Sequence, residues 1–147
     1  MQMDPNTANL IYSMSFILFF DLILLVSLSY YYRKLGYRYL KFGAAAVGVE
    51  MFSQLVFYIG TLLSSYSIPY VLGGIAKVVF AALMLVCIAH LVERKVPLRL
   101  MLLCVLLYLG ESVFVAITGE FNSITWVAVE IPSVIMLLLG IFYLLSI

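Results

Sequence analysis

The sequence predicts an all-α, polytopic integral membrane protein: five transmembrane helices in an antiparallel bundle, with the N-terminus outside and the C-terminus inside. Three observations support this prediction. Of the 147 residues, 66% are hydrophobic and 10% are charged, whereas a soluble domain is roughly half apolar and about a quarter charged. Five apolar stretches are each long enough to cross a bilayer, which takes roughly 20 helical residues, and the basic residues collect in alternate loops. Residues 1–147 are therefore predicted to be a single transmembrane domain, multi-pass in the cell membrane.

The five predicted helices run approximately over 10–32, 40–63, 69–92, 97–118 and 122–146. Because lipid offers no partner to backbone polar groups, each stretch must be helical, and each is too long and continuous for a barrel strand. The connections carry turn chemistry and read, in chain order, "RKLGYR", "SSYSIP", "ERKVP" and "GEFNS". Such short loops favour antiparallel neighbours. The first helix has no basic segment before it and is too long for a signal-peptide core, so no cleaved signal is predicted.

The basic residues set the predicted orientation. Seven of the eight lie in the first and third connections or at their edges: Arg33, Lys34, Arg38, Lys41, Arg94, Lys95 and Arg99. Because short cytoplasmic loops carry an excess of Lys and Arg, these two loops are placed inside. The tyrosines that flank the first of them fit a membrane interface.

One charged residue lies inside each predicted helix: Asp21, Glu50, Lys77, Glu111 and Glu130. Intramembrane charges cost several kcal/mol unless they are paired or hydrated, and they usually face the bundle interior. Counting along the helices places Lys77, Glu111 and Glu130 at one depth, about 10–12 Å below the outer surface. We therefore predict a polar cluster in the outer half of the bundle, in which Lys77 pairs with Glu111 or Glu130. The candidate ligand- or ion-binding residues are Lys77, Glu111, Glu130, Glu50, Asp21 and Gln54.

Helix 5 combines one of these acids with a helix breaker, in "ITWVAVEIPSVIM". Pro132 has no N–H and leaves the carbonyl of Ala128 without its helical donor, about one turn from Glu130. A kink at this point could widen the bundle beside the acid. Such a kink would also give a bound polar group an acceptor.

Several classes of function are disfavoured. Cys87 and Cys104 lie in separate apolar runs without metal-binding spacing, and His90 is the single histidine. No metal or cofactor is predicted, and no pairing of nucleophile and base indicates an enzyme. No basic face is available for nucleic acid.

Two stretches resemble a known class: "YYRKLGYRYLKFGAAAVGVEMFSQLVFYIGTLL" and "IPYVLGGIAKVVFAALMLVCIAHL". They are similar to the multi-helix N-terminal membrane sensor regions of bacterial and archaeal histidine kinases and diguanylate cyclases. The resemblance spans roughly residues 20–120 and implies signal transduction, with a cytoplasmic output after the last helix. No kinase or cyclase domain follows in this chain, and no functional residue is carried over.

Three hypotheses of function remain open at this point. The first is a non-enzymatic sensory module that binds a small polar or amphipathic ligand, an ion or a proton in the polar cluster. The second is a small accessory subunit of a larger respiratory or transport complex. The third is an ion or solute carrier that acts as a homo-oligomer, because five helices do not form an even inverted repeat. A purely structural role for the cluster, in specifying helix packing, also remains open.

Overall fold

In the computed structural model, the described residues are 5–62, 67–118 and 123–146, and they form five α-helices without a strand. The helices are α1 (Pro5–Leu35), α2 (Arg38–Leu62), α3 (Ser67–Leu91), α4 (Leu98–Thr118) and α5 (Ser123–Leu145). The prediction of an all-helical chain with five helices is confirmed. The first helix extends beyond both of its predicted ends, and α2 and α3 begin earlier than predicted. Leu63 and Asn122, at predicted helix bounds, lie outside the described residues.

In the described part of the chain, three helices are long and apolar enough to cross a membrane. The spans are Ile11–Leu35, Arg38–Gly60 and Val71–Leu91. Within α5, Glu130–Leu145 is a shorter apolar segment. Since about 20 helical residues cross the hydrocarbon core, α1, α2 and α3 are each sufficient to span it.

The third helix is the centre of the arrangement. It packs against α2, α4 and α5, and α4 also packs against α5, whereas among the described residues α1 packs against α2 alone. The α2–α3 pair is antiparallel: Ser53 Oγ donates to the carbonyl of Gly73 at 3.1 Å, and Cys87 Sγ donates to that of Tyr39 at 3.2 Å. Helix α1 therefore lies at the edge of the arrangement, and its membrane-spanning window is 0% buried.

The remaining contacts fix the directions of α4 and α5. Lys77 and Glu130 meet near the start of α3, and Ile88 packs against Gly140 further along, so α3 and α5 run parallel. The hydroxyl of Tyr143, at the end of α5, lies 3.4 Å from the carbonyl of Lys95, just before α4, so α4 runs antiparallel to α5. One buried apolar cluster joins these three helices: Val78, Ala81, Leu85, Cys104, Tyr108 and Met136.

The turn between α1 and α2 is built on one glycine. Gly36 has φ of 71°, in the left-handed region, and its N–H donates to the carbonyl of Tyr32 at 2.8 Å. This is the usual way in which glycine ends a helix, because it has no Cβ to clash there. The two-residue connection places the end of α1 directly beside the start of α2.

Candidate functional site

The candidate site centres on an ion pair between α3 and α5. Lys77 Nζ lies 2.6 Å from Glu130 Oε1, which confirms the prediction that Lys77 pairs with one of the acids at its depth. The ammonium group also lies 5.7 Å from the centre of the Phe57 ring on α2, at a cation–π distance. The side chains of Lys77 and Glu130 are 28% and 31% exposed. This pair is therefore reachable from outside the protein and is not sealed in the core.

A buried tyrosine joins α4 to α3 beside this pair. The hydroxyl of Tyr108 lies 3.3 Å from the carbonyl of Val71, to which it donates. Its phenol also lies directly over Gly74, at a place where any Cβ would collide with it. Both Glu111 and Glu130 interact electrostatically with this phenol. Glu111 of α4 and Glu130 of α5 therefore both lie near the side chain of Tyr108.

Two polar atoms close to Tyr108 and Glu130 are buried without a protein hydrogen-bond partner, Glu111 Oε2 and Ser133 Oγ, whereas the hydroxyl of Ser112 interacts with the side chain of Tyr108. Ser112 and Ser133 are only 5% and 7% exposed. Most buried polar atoms in native proteins have a partner, so each exception needs an explanation. Glu111 Oε2 on α4 and Ser133 Oγ on α5 are two such exceptions.

Helical spacing explains why these groups converge. On α4, Glu111 and Ser112 follow Tyr108 by three and four positions, so all three share one face. On α5, Ser133 follows Glu130 by three positions on the face that also buries Met136. We call Lys77, Tyr108, Glu111, Ser112, Glu130 and Ser133 the polar layer. It lies next to the apolar cluster, which Tyr108 and Met136 join.

Pro132 lies within α5 and is fully buried beside this layer. The helix continues through it, although Pro132 cannot donate to the carbonyl of Ala128. That carbonyl is an acceptor about one turn before Ser133. Pro132 thus lies between Glu130 and Ser133, the two residues of α5 that belong to the polar layer.

The other three candidate residues form a second group at the α1–α2 interface. Gln54 Nε2 donates to Glu50 Oε1 at 2.8 Å, and Glu50 interacts electrostatically with Asp21. Asp21 Oδ2 is buried without a protein hydrogen-bond partner. Because α1 packs only against α2 in the described part of the chain, Asp21 reaches Glu50 and does not join the polar layer directly.

Three members of the polar layer were not among the predicted candidates: Tyr108, Ser112 and Ser133. Tyr108 and Ser133 carry a sequence signal, because they share helical spacing with Glu111 and Glu130. Ser112 has no such signal, since a single serine after an acid is common on any helix. Its burial depends on how closely α4 approaches α3.

Cys87 and His90 lie towards the other end of α3, and Cys104 lies in the apolar cluster next to this layer. Cys87 and Cys104 are free, and the His90 ring stacks on Phe42 with 5.2 Å between ring centres. In the described residues, no group of three or more His, Cys, Asp and Glu side chains could hold a metal ion.

Comparison with known proteins adds no family or function. No protein-family model, curated protein or solved structure matches this chain.

Proposed function

We propose that the chain is an integral membrane protein in which all five helices span the cell membrane, with the N-terminus outside and the C-terminus inside. Three helices with the required length and composition support this. The other two contain 21 and 23 residues, which is enough to cross a hydrocarbon core. The concentration of basic residues in alternate loops supports the orientation.

Cysteine labelling tests the topology. In a background of Cys87→Ser and Cys104→Ser, we expect a membrane-impermeant maleimide added to intact cells to label Asn9→Cys and not Glu93→Cys. Both positions are exposed in the structure. Permeabilised cells are the control and should label at both positions. Labelling of Glu93→Cys in intact cells would contradict the proposed orientation.

We further propose that the protein is a non-enzymatic, ligand-binding sensory module whose binding site is the polar layer. The observation that carries this proposal is a pair of unpartnered buried atoms, Glu111 Oε2 and Ser133 Oγ, beside a partly exposed ion pair. The side chains of Lys77 and Glu130 are about one-third exposed, and contact of these charges with lipid hydrocarbon would be energetically unfavourable. A water-filled crevice or a polar occupant beside the pair would avoid that contact.

The chemistry of the layer favours an occupant that donates hydrogen bonds. Lys77 and Glu130 neutralise each other, which leaves Glu111 as the uncompensated acid of the layer. An ionised carboxylate only accepts, whereas a serine hydroxyl both donates and accepts. A small molecule or ion with a positive charge and further polar groups would satisfy these atoms together.

Signal transfer would follow α3. This helix carries Lys77 in its first half and His90 near its end, and it contacts three of the other four helices. An occupant that displaces Glu130 from Lys77 would change how α3 packs against α5. The resemblance to membrane sensor regions supports the same interpretation.

A ligand panel tests the binding proposal. We expect a small amine (methylamine, ethanolamine or choline) or sodium to raise the thermal unfolding midpoint of the purified protein, while acetate and butyrate do not. This rise should disappear in Glu111→Gln and in Ser133→Ala, because each removes a polar group that faces the occupant. Ser27→Ala, a serine on α1 away from the layer, is the matched control and should keep the response.

Two outcomes would contradict the proposal. One is a wild-type protein whose midpoint no member of the panel changes. The other is a response that Glu111→Gln and Ser133→Ala both retain in full, since the ligand would then bind elsewhere.

A further inference from the structure

A second polar surface lies at the opposite end of α3 from the polar layer. It is formed by the connection between α1 and α2 and by the connection between α3 and α4. Seven basic residues lie there, and the side chains of all seven are exposed: Arg33, Lys34, Arg38, Lys41, Arg94, Lys95 and Arg99. We call these residues the basic end.

The fold brings the two connections together. Cys87, near the end of α3, donates to the carbonyl of Tyr39 at the start of α2, and the Phe42 ring stacks on His90. The antiparallel α2–α3 pair therefore places Arg38 and Lys41 at the same end of the molecule as Arg94 and Lys95. The basic residues had already predicted both connections on one side of the membrane, and these contacts place them next to each other.

The charge of this surface is not balanced by the protein. The connection between α1 and α2 has no acid near it, because none occurs between Asp21 and Glu50. The connection between α3 and α4 contains one acid, Glu93. Among the residues that the structure describes, none of the seven basic side chains forms an ion pair.

Aromatic side chains border the basic end. The rings of Tyr37 and Tyr39 stack with 5.4 Å between centres, and those of Tyr30 and Tyr31 pack edge to face at 5.6 Å. Tyrosines of this kind are enriched at the level of lipid headgroups. Next to them lie the exposed apolar faces of α1 and α2, which would contact acyl chains.

We propose that the basic end binds the headgroups of anionic phospholipids in the membrane leaflet nearest to it. Clusters of four to eight Lys and Arg residues next to membrane helices attract anionic lipid, and the uncompensated charge, the tyrosine border and the lipid-facing helices meet here. The partner is a membrane lipid and not a soluble anion, because the basic side chains lie directly beside the exposed apolar surfaces of α1 and α2. This inference uses the proposed membrane placement but not the polar layer.

The test compares two lipids that differ in charge and share the same acyl chains. In neutral detergent micelles, the purified full chain should bind fluorescent phosphatidylglycerol at least about tenfold more tightly than fluorescent phosphatidylcholine, since one basic residue near a lipid surface contributes about fivefold. The quadruple variant Arg33→Gln, Lys34→Gln, Arg38→Gln and Lys41→Gln should lose this preference. Glu93→Gln, at the same end, should keep or increase it.

Salt provides a test that does not depend on the folding of the variant. At about 1 M salt the screening length falls to about 3 Å, and the wild-type preference should decline strongly. Three results would each overturn the proposal: equal binding of both lipids by the wild type, a preference that the quadruple variant retains, or full competition by millimolar glycerol phosphate. The last result would show that the surface recognises a soluble phosphate compound.

Discussion

Replacing Lys77 with methionine is expected to destabilise the protein by about 2 kcal/mol, because the Glu130 carboxyl group would lose the partner that lies 2.6 Å away. Removing one member of a fully buried pair costs about 3–5 kcal/mol. The estimate here is lower because both side chains are about one-third exposed. The cation–π contact with Phe57 is lost as well. Unfolding in mixed micelles of rising SDS fraction measures the change.

A double-mutant cycle separates the pair from other effects of the substitution. Glu130→Gln keeps the shape of the side chain and removes its charge, so Lys77→Met combined with Glu130→Gln should recover about 1–2 kcal/mol of the loss. Glu93→Gln, an exposed acid at the basic end, is the control and should change stability by less than about 0.5 kcal/mol. A Lys77→Met variant as stable as the Glu93→Gln control would show that the pair contributes nothing.

Replacing Gly74 with alanine is expected to cost about 1–3 kcal/mol, which is the usual range for overpacking a core. The new Cβ would meet the hydroxyl of Tyr108. Tyr108 cannot move aside easily, because it is buried and its hydroxyl donates to the carbonyl of Val71. The variant should also lose part of its response to any ligand of the polar layer, since α4 would be displaced from α3. Unfolding midpoint and ligand response are measured on the same preparation.

Gly110→Ala is the matched control for this substitution. Gly110 lies on α4, and a Cβ there would meet nothing within 4 Å. Alanine is the better helix former, so this variant should be neutral or slightly more stable. Combining Gly74→Ala with Tyr108→Phe should restore part of the loss, because the closest colliding atom is removed. No loss in Gly74→Ala would mean that Tyr108 does not pack as closely as the structure shows.

Local sequence pattern was a reliable guide to the helices and to one contact. Each helix could be predicted because lipid leaves a long apolar stretch no alternative that satisfies its backbone. The sequence predicted that Lys77 pairs with Glu111 or Glu130, because both acids were counted at its depth, and the structure shows that the partner is Glu130. The depth of Asp21, by contrast, did not predict which residue lies beside it. Asp21 interacts electrostatically with Glu50 at the α1–α2 interface, because α1 packs only against α2 in the described part of the chain.

The sequence by itself determined the helical class of this protein and the residue types that carry its charge, because hydrophobic length and the cost of an unpaired charge are local properties. Only the tertiary structure decided which charges meet. It placed α3 between α2, α4 and α5, set Tyr108 over Gly74, and buried Ser112 and Ser133 beside Glu111. It also placed the two basic loops, which the sequence had already predicted on one side, next to each other. The physical reason is that helix neighbours follow from side-chain packing between elements, and the spacing along one helix does not contain that information.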